Sequence, residues 1–339
     1  MEKIEVFNNF LTANKLHAKC IDATKKGCMN VFDVQIDNNF RLAKFSTLSK
    51  ELMLNLKSFS IPTTKFKLDT GLLQVETVVE KLPASNLIED LSNIEYSSIE
   101  LPITLGTSLH GEKVIIDINK NPHMLIGGST GSGKSSVLHT IISNLLLSTK
   151  ATLHIIDTKA IEFSRYAAIS SRVSIIDKFE EYRLLLQYLI AVMENRYEFL
   201  QNYPDINIIN NEHFKPIILI IDEFADLAMQ DATKECYTLL CRLIQKCRAA
   251  GIYCILATQR PSVDIITGII KANFPARIAC KVASKIDSRI ILDHNGAENI
   301  ANIGEAILNN YKYSLEKFQV SYASPNDIVN LLNEKINSA

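Results

Sequence analysis

Apolar positions along this chain follow two different patterns. From about Val114 onward, strand-length apolar runs alternate with longer stretches of helical period. The runs are Met124–Ile126, Thr152–Ile156, Val173–Ile176, Ile217–Ile221, Tyr253–Ala257 and Arg277–Val282. The clearest helical stretch is Glu180–Leu200, with Leu184, Leu185, Tyr188, Leu189 and Val192 at helical spacing. Asp177-Lys-Phe-Glu180 has the form of a capping box at its start. Strand–helix alternation of this kind predicts an α/β fold, a parallel doubly wound sheet with helices on both faces. Residues 1–100 differ: strand-like runs at Asn30–Ile36 and Leu72–Val79 flank a helical pattern around Leu48–Leu56. They predict a small α+β module without residues of catalytic type. A linker with Ser97, Ser98, Pro102 and Gly106 separates the regions, so domains are expected at 1–100 and 101–330.

Composition narrows the class. At 339 residues, 47% hydrophobic and 22% charged, the chain is a globular protein of about two domains, not a disordered or fibrous one. No apolar run approaches the ~18 residues of a membrane span. The opening MEKIEVFNNF lacks the pattern of a signal peptide. The seven cysteines are odd in number and form no CxxC pair, so a reducing cytoplasm is expected rather than a disulfide framework. Cys236, Cys241 and Cys247 match no zinc spacing and read as thiols packed under helices.

Charge is uneven. Between Leu240 and Ile290 stand Arg242, Lys246, Arg248, Arg260, Lys271, Arg277, Lys281, Lys285 and Arg289, opposed within that window by Asp264 and Asp287, on a chain of net charge −1. A local polyanion surface and a solvated face both fit that count.

Three segments carry chemistry. Gly128-Ser129-Thr130-Gly131-Ser132-Gly133-Lys134-Ser135, followed by Ser136, fits the phosphate-binding loop between an apolar strand and a helix. Its glycines let backbone N–H groups approach phosphates, Lys134 would reach the β- and γ-phosphates, and the Ser135 hydroxyl would ligate Mg²⁺. Ile217–Ile221 runs into Asp222 and Glu223. Ligands of parallel sheets sit at the carboxyl ends of strands, so Asp222 is the expected Mg²⁺ partner and Glu223 the residue that polarises the attacking water. The strand Tyr253–Ala257 leads into Thr258-Gln259-Arg260-Pro261; were it to lie between the other two strands, Gln259 would sit beside the γ-phosphate.

The segment from Pro122 to about Glu298 resembles the motor domain of the FtsK/SpoIIIE family of double-stranded DNA translocases. The resemblance rests on Pro122–Ser135, Ile221-Asp-Glu-Phe-Ala-Asp-Leu227, Arg248-Ala-Ala-Gly251, Ala257–Asp264, Ile266–Asn273, Ser284–Arg289 and Ile291-Leu-Asp293. Asp157-x-Lys159 and Glu194-x-Arg196-Tyr197 also match, and residues 28–120 resemble the family's smaller domain more loosely. The resemblance implies a RecA-like P-loop ATPase forming a hexameric ring around duplex DNA. It implies that Arg248 reaches a neighbouring subunit's nucleotide and that Arg260, Lys285 and Arg289 face the DNA channel. No membrane span precedes the motor segment, and only a short stretch follows it, so a motor without anchor or orientation-reading module is expected.

The leading expectation is therefore an ATP-driven DNA translocase, with Lys134, Glu223, Gln259 and Arg248 as catalytic residues. The alternative is a coupling or secretion ATPase moving protein or protein–DNA substrates; a passive ATP-dependent scaffold is the third.

Overall fold

The computed structural model describes residues 2–59, 62–92, 100–159, 161–203, 208 and 214–337. The chain divides into two compact units, Met1–Pro83 with Thr107–Glu112, and Ala84–Gly106 with Lys113–Ala339.

In the first unit, α1 (Glu2–Ala13), α2 (Leu42–Thr47) and α3 (Ser49–Asn55) accompany β1 (Ala18–Lys26), β2 (Met29–Ile36), β3 (Thr63–Lys67) and β4 (Leu72–Val78). The sheet is antiparallel, in the order β1-β2-β4-β3. Its core is aromatic: Phe7 meets Phe32 edge-on at 5.0 Å between ring centres, and Phe45, Leu52 and Val75 close around them. Strand β1 buries fully only Cys20 and β3 buries no residue fully, which is why neither shows as an apolar run in the sequence.

The second unit contains β5 (Ser85–Asn86), α4 (Leu87–Ser92), β6 (Pro102–Ser108), β7 (Lys113–Asp117), β8 (His123–Gly127), α5 (Lys134–Ser148), β9 (Thr152–Ile156), α6 (Ser164–Ile169), β10 (Val173–Ile176) and α7 (Phe179–Asn202). It continues with β11 (Ile217–Ile221), α8 (Phe224–Gln230), α9 (Glu235–Lys246), β12 (Ile252–Thr258), α10 (Gly268–Asn273), β13 (Ala276–Ala279), α11 (Lys285–Leu292), β14 (Glu305–Asn309), β15 (Glu316–Tyr322) and α12 (Pro325–Asn337). The sheet runs β10-β9-β11-β12-β8-β13-β14-β15-β6-β7, with β5 beside β15. The first six of these strands are mutually parallel, and β14 and β15 continue antiparallel, so the sheet is mixed rather than wholly parallel.

The unbroken apolar runs follow from this layering. Successive strand residues face opposite sides, and both sides are covered. Ile218 and Ile220 enter the core under α5 and α6, whereas Ile217, Leu219 and Ile221 enter the core under α7, α9 and α11. Val173–Ile176 and Ile217–Ile221 have their predicted bounds, but the strand read as Arg277–Val282 ends at Ala279. The chain leaves the sheet there because the Lys281 carbonyl turns to accept from the Ser129 N–H at 2.9 Å.

Two local expectations change. Helix α7 begins at Phe179 with Lys178 as its flanking residue and no side-chain cap, so Asp177 lies one position too early to form the capping box. Pro102 and Gly106 lie inside β6 instead of a linker, while Ser97 and Ser98 fall outside the described residues. Gly106 is required by close approach: a Cβ there would stand 1.9 Å from the Gln319 carbonyl oxygen of β15. Backbone cannot swing aside as a side chain can. Gly106→Ala should therefore lower stability by about 3 kcal/mol, the upper end of overpacking costs, read as a lower urea midpoint; an unchanged midpoint would show that β6 and β15 can separate freely.

Candidate active site

The parallel strands deliver their C-terminal ends to one edge of the sheet. Gly128 follows β8, Asp157 follows β9, Asp222 follows β11, Gln259 follows β12 and Cys280 follows β13. Strand β12 lies between β11 and β8, so three sequence-distant motifs converge at this edge.

The loop after β8 has the shape its glycines allow. Gly131 and Gly133 take φ of +75° and +104°, a region that side chains disfavour. A Cβ on Gly128 would lie 2.5 Å from Ser132 Oγ and 2.8 Å from Cys280 Cβ. The loop encloses a cavity of about 250 Å³ lined by Ser129, Thr130, Gly131 and residues 133–136, together with Gln259 and Ile303. Lys134 donates from Nζ to Asp222 Oδ1 and to the Asp222 carbonyl, both at 2.7 Å, and both side chains are buried.

Glu223 is also buried, and the donors around it fix its direction. Thr258 donates its hydroxyl to Oε1 at 2.7 Å, and the Gln259 N–H donates to Oε2 at 2.9 Å. The Gln259 side chain in turn accepts from the Thr130 hydroxyl at 2.6 Å, joining β12 to the loop. Sequence reading found Gln259 but passed over Thr258, whose hydroxyl is what orients Glu223. The signal was a polar residue at the end of an otherwise apolar strand.

Glu162 was passed over as well. It faces α5, where His139 Nε2 lies 3.4 Å from Oε1. The His139 ring beside it, foremost, holds its carboxyl below the usual carboxylate range.

The structure does not bring Arg248 to this site. Arg248 sits in the short 3₁₀ turn Cys247–Ala250 before β12. Seven residues at ~3.3 Å each put it about 20 Å from Thr258 on the opposite edge of the sheet. Its exposed guanidinium donates to the Asn119 carbonyl at 3.4 Å. Buried Arg196 fixes this turn, donating to the Ala250 carbonyl at 2.7 Å and the Lys215 carbonyl at 2.8 Å.

Arg260 and Lys285 follow the C-terminal ends of β12 and β13, on the same edge as the loop, and both are exposed. Arg289 lies four residues beyond Lys285 on α11, its Nε donating to Asn295 at 2.8 Å. Helix α11 opens with a true capping box between Ser284 and Asp287. The basic stretch is smaller than its count implied. Asp293, just past the window, pairs with Lys271 and Arg277, and Glu194 pairs with Arg242.

Among the described residues one His/Cys group could be asked to hold a metal: His123, Cys247 and Cys254, all buried. The Cys254 N–H donates to His123 Nδ1 at 3.0 Å, which puts the ring proton on Nε2, 3.1 Å from the Ile244 carbonyl. Both ring nitrogens thus serve the backbone. Cys236 and Cys247 are buried and Cys241 is half-buried, as thiols packed under helices are.

The phosphate-binding loop on a mostly parallel sheet, with two carboxylates at the end of a strand one removed from it, defines a RecA-like P-loop protein of the ATPase class. The FtsK/SpoIIIE family model matches residues 90–211 and 207–263, which together make up just over half of the chain. The chain belongs to the FtsK/SpoIIIE family. It is 32% identical to the DNA translocase FtsK of Caldanaerobacter subterraneus subsp. tengcongensis, over 100% of this chain and 50% of that protein. It is 33% identical to the one from Haemophilus influenzae, over 89% of this chain and 64% of that protein. The chain thus spans about half the length of the curated relatives it matches. Among solved structures, the monomer form of the pCW3 conjugation coupling protein TcpA with ATPγS superposes with a TM-score of 0.69 at 23% identity, covering 98% of this chain and 99% of that one. The cytoplasmic domain of the type VII secretion ATPase EccC of Thermomonospora curvata gives 0.59 at 19% identity, over 74% and 34%. These two likenesses concern the fold. No helix among the described residues is long and apolar enough to cross a membrane.

Proposed function

We propose that this chain is the motor portion of an ATP-driven translocase of double-stranded DNA, acting in the cytoplasm as a homo-hexameric ring. One observation carries the reading. Strand β12 ends between the phosphate-binding loop and Glu223, and its next residues are Gln259, bonded to Thr130, and exposed Arg260. A change at the γ-phosphate is therefore one residue from a basic loop on the same edge.

The residues fit a magnesium nucleotide. Ser132 Oγ is buried with no partner among the described residues, the Gly128 cradle would be filled by any side chain, and Ser135 and Asp222 offer the oxygen donors that Mg²⁺ prefers. Bound there, Mg²⁺ would neutralise charge on the β- and γ-phosphates. The loop N–H groups and Lys134 would hold those phosphates, Lys134 leaving Asp222 to do so. Glu223 would accept the proton of the attacking water, with Thr258 and the Gln259 N–H keeping its carboxylate turned toward the site. Gln259 would exchange its bond with Thr130 for one with the γ-phosphate and carry Arg260 with it.

DNA contacts through Arg260, Lys285 and Arg289 would address phosphates, which carry no sequence information. Long duplex DNA should raise the ATPase rate, and Lys285→Ala with Arg289→Ala should weaken duplex binding equally for unrelated sequences. The dependence of log affinity on log salt should flatten by roughly one unit per lost phosphate contact. A full salt slope in the double variant would remove both residues from the DNA surface.

The second reading, a coupling or secretion ATPase, draws on the TcpA superposition, which covers nearly the whole of both chains. An ATPase rate indifferent to duplex DNA but raised by a protein substrate would favour it.

A further inference from the structure

We propose, on the ATPase reading above, that Ile303 supports the base of the bound nucleotide. It acts as an apolar shelf that contacts the face of the ring and does not read its edge.

Among the described residues Ile303 is the one apolar side chain that lines the loop cavity; the rest of the lining is glycine, serine, threonine, Lys134 and Gln259. It is also 76% exposed, so a ligand lying on it would remove apolar surface from water. The order of strands says which end of a nucleotide it meets. Strand β8, which leads into the loop, has β12 on one side and β13 on the other, with β14 beyond β13. Glu223 and Gln259 follow β11 and β12, so the γ-phosphate belongs on that flank. Strand β14 is antiparallel to β13 and therefore starts at the edge where the parallel strands end. Ile303, two residues before β14, stands on the opposite flank from Gln259. Three strand spacings separate β12 from β14, about 14 Å in all. One cavity thus runs from polar groups at the water-activating side to an aliphatic side chain at the other.

The backbone on both sides of Ile303 is held. The Gly304 N–H donates to the Ser132 carbonyl of the phosphate-binding loop at 3.3 Å, and the Gly304 carbonyl accepts from the Val320 N–H of β15 at 2.8 Å. On the other side, Asn302 Nδ2 donates to Glu305 Oε1 at 2.5 Å, and the Glu305 N–H donates back to the Asn302 carbonyl at 3.4 Å. A β-branched side chain on such a turn has little freedom at χ1, so the shelf is in place before the nucleotide arrives. Its chemistry limits what it can read. Adenine and guanine differ in the donors and acceptors along their edges, and isoleucine offers neither. Contact with the ring face should therefore favour any purine nucleotide over a bare polyphosphate.

The test is isothermal titration calorimetry of the full chain with ADP, GDP and inorganic tripolyphosphate, each with Mg²⁺. Ile303→Ala should weaken ADP and GDP by the same factor, roughly tenfold, which corresponds to about 1.4 kcal/mol. Tripolyphosphate, which has no base, should bind the variant as it binds the parent. Ile303→Leu keeps the apolar volume and should stay close to the parent for all three, which guards against a folding defect in the alanine variant. Equal weakening of all three ligands by Ile303→Ala would mean that the side chain only shapes the loop, and would overturn the proposal. So would a loss confined to ADP, because the position would then be reading the edge. Unchanged affinity for both nucleotides would overturn it too, while leaving the ATPase reading intact. A wild-type chain that binds none of the three would instead sink both.

Discussion

Lys134→Ala should lower ATP turnover by at least roughly 10²–10³-fold, the cost of removing one preorganised donor from a developing anion. Among the described residues no other cationic side chain lines the loop cavity. Folding complicates this prediction, because Lys134 is also the partner of buried Asp222. Removing one member of a buried pair leaves the other charge stranded, typically at about 3–5 kcal/mol. A lost rate could then reflect a lost fold. The double variant Lys134→Ala with Asp222→Asn separates the two. Without the stranded carboxylate it should melt closer to the parent, yet remain as inactive as the single variant. Thermal unfolding and ATP hydrolysis measured on both variants decide the matter. A folded single variant that hydrolyses ATP at the parental rate would remove Lys134 from the site.

The part of this site that is contiguous in sequence is the part that can be read from it. Gly128–Ser135 and Ile217–Glu223 each contain their own context, an apolar strand followed by the reacting groups, and the structure sets them at one sheet edge. What sequence spacing does not show is who meets whom across strands. Thr258 orients Glu223 over a separation of 35 residues, and Lys134 meets Asp222 over 88. Glu162 was hidden for the same reason: its partner His139 lies on α5. Charge counting failed more simply. A window closing at Ile290 left out Asp293, the acid that pairs with Lys271 and Arg277. Gly106 and Pro102 read as linker residues because both break ordinary strands. Here Gly106 lets two backbones approach more closely than any other residue would allow. The first unit's β1 and β3 carried little apolar signal because they bury few residues fully.

Arg248→Ala should also abolish turnover, by about 10³–10⁵ where a neighbouring subunit's arginine stabilises the transferring phosphoryl group. Its place in the fold excludes action on its own nucleotide: β12 separates it from Gln259 by about 20 Å. The same strand makes it suited to action on another. Arg248 is exposed on a turn held by buried Arg196, and β12 runs from that turn to the γ-phosphate side of its own site. In a ring, one rigid strand would then join each subunit's outgoing arginine to its own pocket. Lys134→Ala and Arg248→Ala would each be inactive for a different side of such an interface, so a mixed ring would contain some interfaces where both sides are intact. Mixing the two at several ratios with duplex DNA should give ATPase activity above the sum of the separate variants. Should no ratio exceed that sum although mixed rings form, Arg248 does not act across the interface. Arg289 would then be the next candidate, because Arg277 is already committed to Asp293.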